Sequence, residues 1–337
     1  MSYSMPGPKT KEPDIIEQAI QPFQCSVKGG LYLKKYAIQI LSICFLAFTQ
    51  FLTAQIIEKG EIWVRQSRDS TMVLNEPMYH EINKKEFLDL LDKQPSFGLY
   101  KDNYFITGIP LNLQINQHTA NAMYQVSLRQ RLTKTILPFN SFLLLTYTQK
   151  SFWNIYAKSS PFNDNNYNPG LALVKPIIYK DKFIAMSSLA LEHESNGRAG
   201  LESRSWNYLI FTGVYFFDPR FSMKLKLWPG ILSSGDPDLE GDGNPDLFKY
   251  RGYGSINLKY SSLNDKFGVS AIINPRTKIG NFNSTLEFNF KLNPNANQYL
   301  FVQWFQGYGE SLLDYTKYST MVRAGICIKS PLRVYIE

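Results

Sequence analysis

The chain has 337 residues with 23 Phe and 21 Tyr, a hydrophobic content of 44% and an aromatic content of 15%. That aromatic load is heavy for a soluble enzyme and suits a β-barrel with an apolar outer band and aromatic girdles. The net charge of +8 comes from Lys and Arg spread along the chain without a dense run, which speaks for weak attraction to an anionic membrane surface rather than for nucleic-acid binding.

In chain order, the first element predicted is a targeting segment, residues 1–54. Lys34 and Lys35 precede a largely apolar run from Tyr36 to Ala54, ending on a small residue before Gln55, the order of a secretory signal. A transmembrane anchor is the alternative, since the run approaches about 20 residues, but Gln39 and Gln50 interrupt it. Ile43 before Cys44 argues against a lipoprotein signal. Residues 1–30 are polar, and a true start near residue 31 would make them a translation-start artefact. Removal of the segment leaves Cys327 alone of Cys25, Cys44 and Cys327, which excludes an intrachain disulfide and a cysteine metal site.

Residues 55–96 read as a polar N-terminal extension packed on or in a barrel, with a helical stretch near Lys84–Asp92. From residue 97 to 337 the chain breaks into strand-length segments separated by turns. They are 98–108, 122–133, 140–153, 171–180, 182–195, 205–217, 221–230, 248–260, 265–274, 280–291, 298–307 and 318–328. Long and short connections alternate, so the expected fold is an all-β, transmembrane, antiparallel twelve-stranded barrel. No helical periodicity is visible after residue 97.

Side chains alternate faces along a strand. In 182–195 one row holds Ser187, Leu189, Leu191, His193 and Ser195, and the other holds Ser188, Ala190, Glu192 and Glu194. The aliphatic row should meet lipid, which places His193 and Ser195 on the outside of the barrel at the membrane rim. A serine hydroxyl needs a base to become a nucleophile, and the base needs a third group to hold its tautomer. Asn207, returning on the next strand, is the candidate for that third group.

The stretch His193-Glu194-Ser195-Asn196-Gly197-Arg198, followed by Ser203-Arg204-Ser205-Trp206-Asn207, resembles the signature of the outer-membrane phospholipase A family. Further segments match in the same order: Tyr147 to Trp153, Ser159-Ser160-Pro161-Phe162 with Asn166, Tyr167 and Pro169, Asn244-Pro245-Asp246 with Lys249 and Tyr250, and Gly307 to Leu312 with Asp314 and Tyr315. The resemblance implies a calcium-dependent phospholipase of A1/A2 and lysophospholipase type, in the outer membrane of a Gram-negative bacterium, with its site facing the outer leaflet. It makes Ser195 the nucleophile, His193 the base, Asn207 its orienter and the Gly197 N–H an oxyanion donor. Calcium (Ca2+) would be held by the Arg198 carbonyl, the Ser203 hydroxyl and the Ser159 carbonyl of a second copy. A homodimer would be the active form, with Gln149 at its interface, and membrane phospholipids would be the partners. The connection after Trp153 is shorter than the family's, which leaves both Ser159 and Ser160 as candidates for the third ligand. A passive pore and a catalytically silent barrel are the rival readings. The acidic loop from Asp236 to Asp246 is read as a solvated outer loop, and His80 and His118 as surface residues.

Overall fold

The computed structural model describes residues 64–65, 79–80, 84–179, 182–218, 220–232, 243–262, 265–277, 280–293 and 297–329. The expected signal segment, the proposed start near residue 31 and most of the acidic loop lie outside them. Twelve long strands form one antiparallel ring: β1 (Asn103–Pro110), β2 (Asn121–Arg131), β3 (Phe142–Trp153), β4 (Phe162–Tyr179), β5 (Lys182–Ser195), β6 (Ser205–Phe216), β7 (Phe221–Leu227), β8 (Gly254–Ser261), β9 (Phe267–Pro275), β10 (Phe282–Lys291), β11 (Gln298–Gly307) and β12 (Ser319–Ile328). Each pairs with its neighbours in sequence, and β12 closes on β1 through pairs such as Ala324 with Thr107. Closure leaves the twelve-strand ring itself without a free edge, so its N–H and C=O groups can be met inside lipid. Two short strands, 97–99 and 230–232, add to β2 and β6.

The two faces of each strand differ as a barrel wall requires. Leu145, Leu171, Leu173, Leu189, Leu191, Leu209, Leu286 and Leu300 point outward and are exposed, while Thr146, Thr148, Asn166, Asn168, Glu192, Thr212, Asn289 and Gln303 point inward and are buried. The inward polar groups bond to one another: Tyr208 donates to Glu192 Oε2 at 2.7 Å, and Arg323 holds Glu310 through two bonds of 2.5 and 3.2 Å. Gly170 faces this interior where a Cβ would lie 2.8 Å from Glu192 Cγ and 2.9 Å from Thr146 Oγ1. Only glycine leaves room there for the buried carboxylate.

The structure departs from the strand assignment in three places, the first being 98–108, which is split into the short strand 97–99 and β1 because the strand breaks at 100–102. β4 begins at Phe162, so Asn166 and Tyr167 lie in a strand rather than a loop. Its Asn-rich start reads as a turn by propensity, but Asp164, Asn166 and Asn168 are the inward, hydrogen-bonded row of a polar lumen. Asn166 Oδ1 and Asp164 Oδ2 accept the Leu312 and Leu313 N–H groups at 3.1 and 2.9 Å. Likewise, residues 247–251 form a one-turn helix, α2 (Leu247–Arg251), and β8 starts only at Gly254.

The described end of the N-terminal extension is a helix, α1 (Lys84–Lys93), and it packs in the lumen. Phe87 is 2% exposed and stacks on Phe183 at 4.2 Å; with Leu91 it joins inward-facing Leu144, Val174, Met186 and Val214. Its C-terminal carbonyls are capped from the wall: Arg131 donates to the Leu91, Asp92 and Gln94 carbonyls at 2.5, 2.9 and 2.9 Å, a favourable cation at a helix C-terminus. Asp92 in turn accepts the Thr135 N–H and hydroxyl, both at 2.9 Å. At the other rim a second cluster of Trp206, Tyr208, Leu247, Leu312 and Tyr315 fills the lumen. There the Tyr315 hydroxyl donates to Asp246 at 2.6 Å. Burial, reinforced by that bond, raises the Tyr315 pKa and keeps its proton in place.

Candidate active site

The site lies at the rim where β5 ends and β6 begins. His193 pairs with Asn207 and Ser195 with Ser205 across the ladder, and all of these share the outward row that continues the lipid-facing leucines. His193 Nδ1–H donates to Asn207 Oδ1 at 2.9 Å. An amide oxygen can only accept, so this bond leaves Nε2 as the ring nitrogen free to take a proton. Ser195 follows His193 by two residues on the same face. Among the described residues no hydrogen bond joins its hydroxyl to the imidazole: residues two apart on a strand are separated by about 7 Å, so closure depends on both rotamers, and catalytic bonds often tighten only with substrate in place.

Behind the outward row, the lumen holds the two strands in register. Glu194, between His193 and Ser195, accepts the Trp206 indole N–H at 2.8 Å and pairs with Arg251 of α2 at 2.6 Å. Asn168 donates to the His193 carbonyl at 2.9 Å. Replacing Arg251 by Met is expected to cost about 3 kcal/mol, because it strands a largely buried carboxylate. The pair Glu194→Gln with Arg251→Met should recover most of that loss. Urea unfolding midpoints in detergent check both.

The connection 196–204 is organised by Asn196, which is buried. Its Oδ1 accepts the Arg198 and Arg204 N–H groups at 3.3 and 3.0 Å, and its Nδ2 donates to the Glu202 carbonyl at 2.8 Å. Gly197 has φ +66, a left-handed conformation that glycine adopts without strain, with the Tyr167 ring 3.1 Å from where a Cβ would stand. The Arg198 guanidinium is tied to Glu202 and to the Asn163 carbonyl. Neither the Arg198 carbonyl nor the Ser203 hydroxyl accepts a hydrogen bond from another described residue, so both are hard oxygen donors open to a cation. Ser159 and Ser160 have positive φ, 62 and 41. The Ser160 carbonyl accepts the Trp153 indole N–H at 2.7 Å, whereas the Ser159 carbonyl has no such donor among the described residues. Gln149 lies on the outer face of β3, in line with Tyr167 and Ser195. It bonds there to Tyr147, Tyr124 and Ser151. Sequence reasoning singled out Asn207 but missed Asn196, Asn168 and Arg251, which act on the site through the loop and the lumen. His118 sits in an exposed loop, as expected.

A closed antiparallel ring with an apolar outer face and a polar packed lumen, bearing a His–Asn pair on its outer rim, defines an outer-membrane-type β-barrel. The chain belongs to the phospholipase A1 family, the outer membrane phospholipases A, whose sequence profile matches residues 100–328. Phospholipase A1 of Salmonella typhimurium is 31% identical over 221 residues, 64% of this chain and 72% of that one. Phospholipase A1 of Escherichia coli K12 is 30% identical over 217 residues, 63% of this chain and 71% of that one. Against a relative from Neisseria meningitidis, 31% identical over 219 residues, the match takes in 62% of this chain and only about half, 55%, of the other. Among solved structures, a Salmonella typhi outer membrane phospholipase dimer with bound calcium superimposes with a TM-score of 0.62 at 26% identity, over 74% of this chain and 99% of that one.

Proposed function

We propose that the protein is a calcium-dependent outer-membrane phospholipase that hydrolyses phospholipid acyl esters, of A1/A2 and lysophospholipase type, from the lipid-facing side of its barrel. The observation that carries this reading is the 2.9 Å bond from His193 Nδ1–H to Asn207, on the outward row that also bears Ser195. Ser195 Oγ attacks the ester carbonyl while His193 Nε2 takes its proton. The Asn207 amide holds the imidazole in the tautomer that leaves Nε2 basic. The Gly197 N–H is assigned as a donor to the oxyanion, in the manner of preorganised dipoles. His193 then returns the proton to the leaving lysophospholipid hydroxyl. Water, deprotonated by the same ring, releases the fatty acid from the acyl-enzyme.

The donor set fits calcium: the Arg198 carbonyl and Ser203 hydroxyl of one copy, and the Ser159 carbonyl of a second. The engaged Ser160 carbonyl favours Ser159 for the third position. A bound cation there would supply electrostatic stabilisation to the developing oxyanion and bridge two copies. Gln149, outward on β3, suits an interface across which polar groups pair inside lipid. The N-terminal residues 1–54 are assigned to export and the site to the outer leaflet.

Chelation is expected to abolish phospholipid hydrolysis by the purified protein in detergent and to lower the yield of cross-linked dimer, with both restored by added calcium. Ser203→Ala should raise the calcium concentration needed for half-maximal activity by at least about tenfold, since even an outer-shell partner of a metal site is worth that much. Hydrolysis indifferent to chelator would sink the calcium assignment and leave the Ser–His–Asn assignment standing.

A further inference from the structure

We infer that the connection between β1 and β2, residues 111–120, is a lipid-contacting surface, with Leu111, Leu113 and Ile115 lying among the acyl chains of the leaflet on the site side of the barrel. The inference is independent of the catalytic roles assigned above. On β1 the outward residues Phe105 and Ile109 are exposed on the lipid face, and the connection that follows adds three more exposed aliphatic side chains. The chain bends at 111–113, and Leu111, Leu113 and Ile115 alternate in sequence with Asn112 and Gln114, all five of them exposed. These three side chains are 58%, 60% and 56% exposed.

Exposed aliphatic side chains in a loop usually accompany a backbone free to fold them away, but this loop is held by its own hydrogen bonds. The Leu111 N–H donates to the Thr320 carbonyl at 2.8 Å, and the Thr320 N–H to Asn112 Oδ1 at 3.1 Å. Further out, Thr119 Oγ1 donates to the Gln114 carbonyl at 2.7 Å and accepts the Asn116 N–H at 2.9 Å, while the Ala120 N–H reaches the Asn116 carbonyl at 2.9 Å. These bonds, with those from the His118 N–H to Asn116 Oδ1 and from the Thr119 N–H to the Asn116 carbonyl, meet five of the ten backbone N–H groups of residues 111–120 within the described residues, which lowers the cost of entering a non-aqueous layer.

Charge distinguishes this connection from the others on the same rim. No Lys, Arg, Asp or Glu occurs between Asn103 and Leu128. The 154–161 connection carries Lys158, the 196–204 connection Arg198, Glu202 and Arg204, and the 308–318 connection Glu310, Asp314 and Lys317. Charged side chains are costly in the hydrocarbon layer, so a connection with no Lys, Arg, Asp or Glu and three exposed aliphatic side chains is suited to sit deeper than its neighbours. Its occupant is then lipid, in continuity with the lipid face of β1, rather than water or a second copy of the chain. Such a contact would fix the height of the rim in the leaflet, and with it the height of the Ser195 row on β5 at the same end of the ring.

The test uses the full chain with Cys25, Cys44 and Cys327 replaced by Ala and Leu113→Cys labelled with an environment-sensitive nitrobenzoxadiazole dye. The labelled protein is placed in phosphatidylcholine vesicles at low protein density, with Lys158→Cys labelled in parallel as a solvated reference. The expected result is blue-shifted emission at position 113, quenched when the vesicles contain acyl chains bearing nitroxide and insensitive to aqueous iodide. The label at position 158 should show the reverse. Emission at position 113 that iodide quenches and nitroxide lipid does not would overturn the inference in favour of water. Blue-shifted emission that neither reagent quenches, and that grows with protein density, would overturn it in favour of a second copy. Retained heat-modifiable gel migration establishes that the labelled barrels are folded.

Discussion

Replacing Ser195 by alanine is expected to lower phospholipid hydrolysis by on the order of 10⁶-fold, the loss typical of removing an activated serine nucleophile. Substrate binding and barrel folding should remain, since Ser195 is partly exposed on the outer face and makes no hydrogen bond to another described residue. The readouts are release of fatty acid from phospholipid in detergent, together with gel migration of unheated protein as the folding check. Asn207→Ala should cost far less, because the imidazole keeps its proton chemistry and loses only its orientation. Its signature would be a fall in kcat with little change in KM. Hydrolysis that persists in the Ser195 variant would remove the mechanism while leaving the fold and family in place.

The second large effect concerns α1. Phe87 and Leu91 are its buried side chains in the described lumen cluster, and Phe87 stacks on Phe183. Truncating a fully buried phenylalanine typically costs about 3–5 kcal/mol, and every 1.4 kcal/mol is a tenfold change in an equilibrium. Phe87→Ala should therefore raise the undocked population of the helix by more than a hundredfold. The barrel strands, closed without α1, should stay folded. Limited trypsin digestion of the protein in vesicles checks this. Rapid cleavage at Lys84, Lys85 and Lys93 is expected in the variant and resistance in the parent, with the fragment that begins after Lys93 remaining heat-modifiable. Equal cleavage of the two proteins would show that the lumen contacts do not hold the helix.

Docking of α1 also bears on what the barrel is not. Clusters at both ends, one around Phe87 and Leu91 and one around Leu247, Leu312 and Tyr315, pack the described lumen with side chains. A diffusion pore needs a water-filled channel, so the packed interior argues against the passive-pore reading. It suits instead a rigid scaffold whose working surface is its outside.

How much of this was legible beforehand follows from the range of each signal. Twelve strands could be counted because alternation with period two and turn residues are local properties of a few consecutive positions. The outward placement of His193 and Ser195 was legible for the same reason: Leu189 and Leu191 precede them in the same row. Asn207 was legible because one short connection returns β6 directly beside β5. The start of β4 was misread because Asn and Asp are turn formers by propensity, and only the polar lumen makes them strand residues. The turn of α2 is too short for any helical period to show.

What sequence could not decide is whatever joins distant positions. Glu194 meets Arg251, Asn166 meets Leu312, and Arg131 caps α1, each across a span of chain that no periodicity bridges. Local sequence determines which face of a strand a residue takes, since backbone geometry sets it residue by residue. Which partner waits on that face is decided only when the ring closes and brings remote strands, loops and the N-terminal helix into one interior.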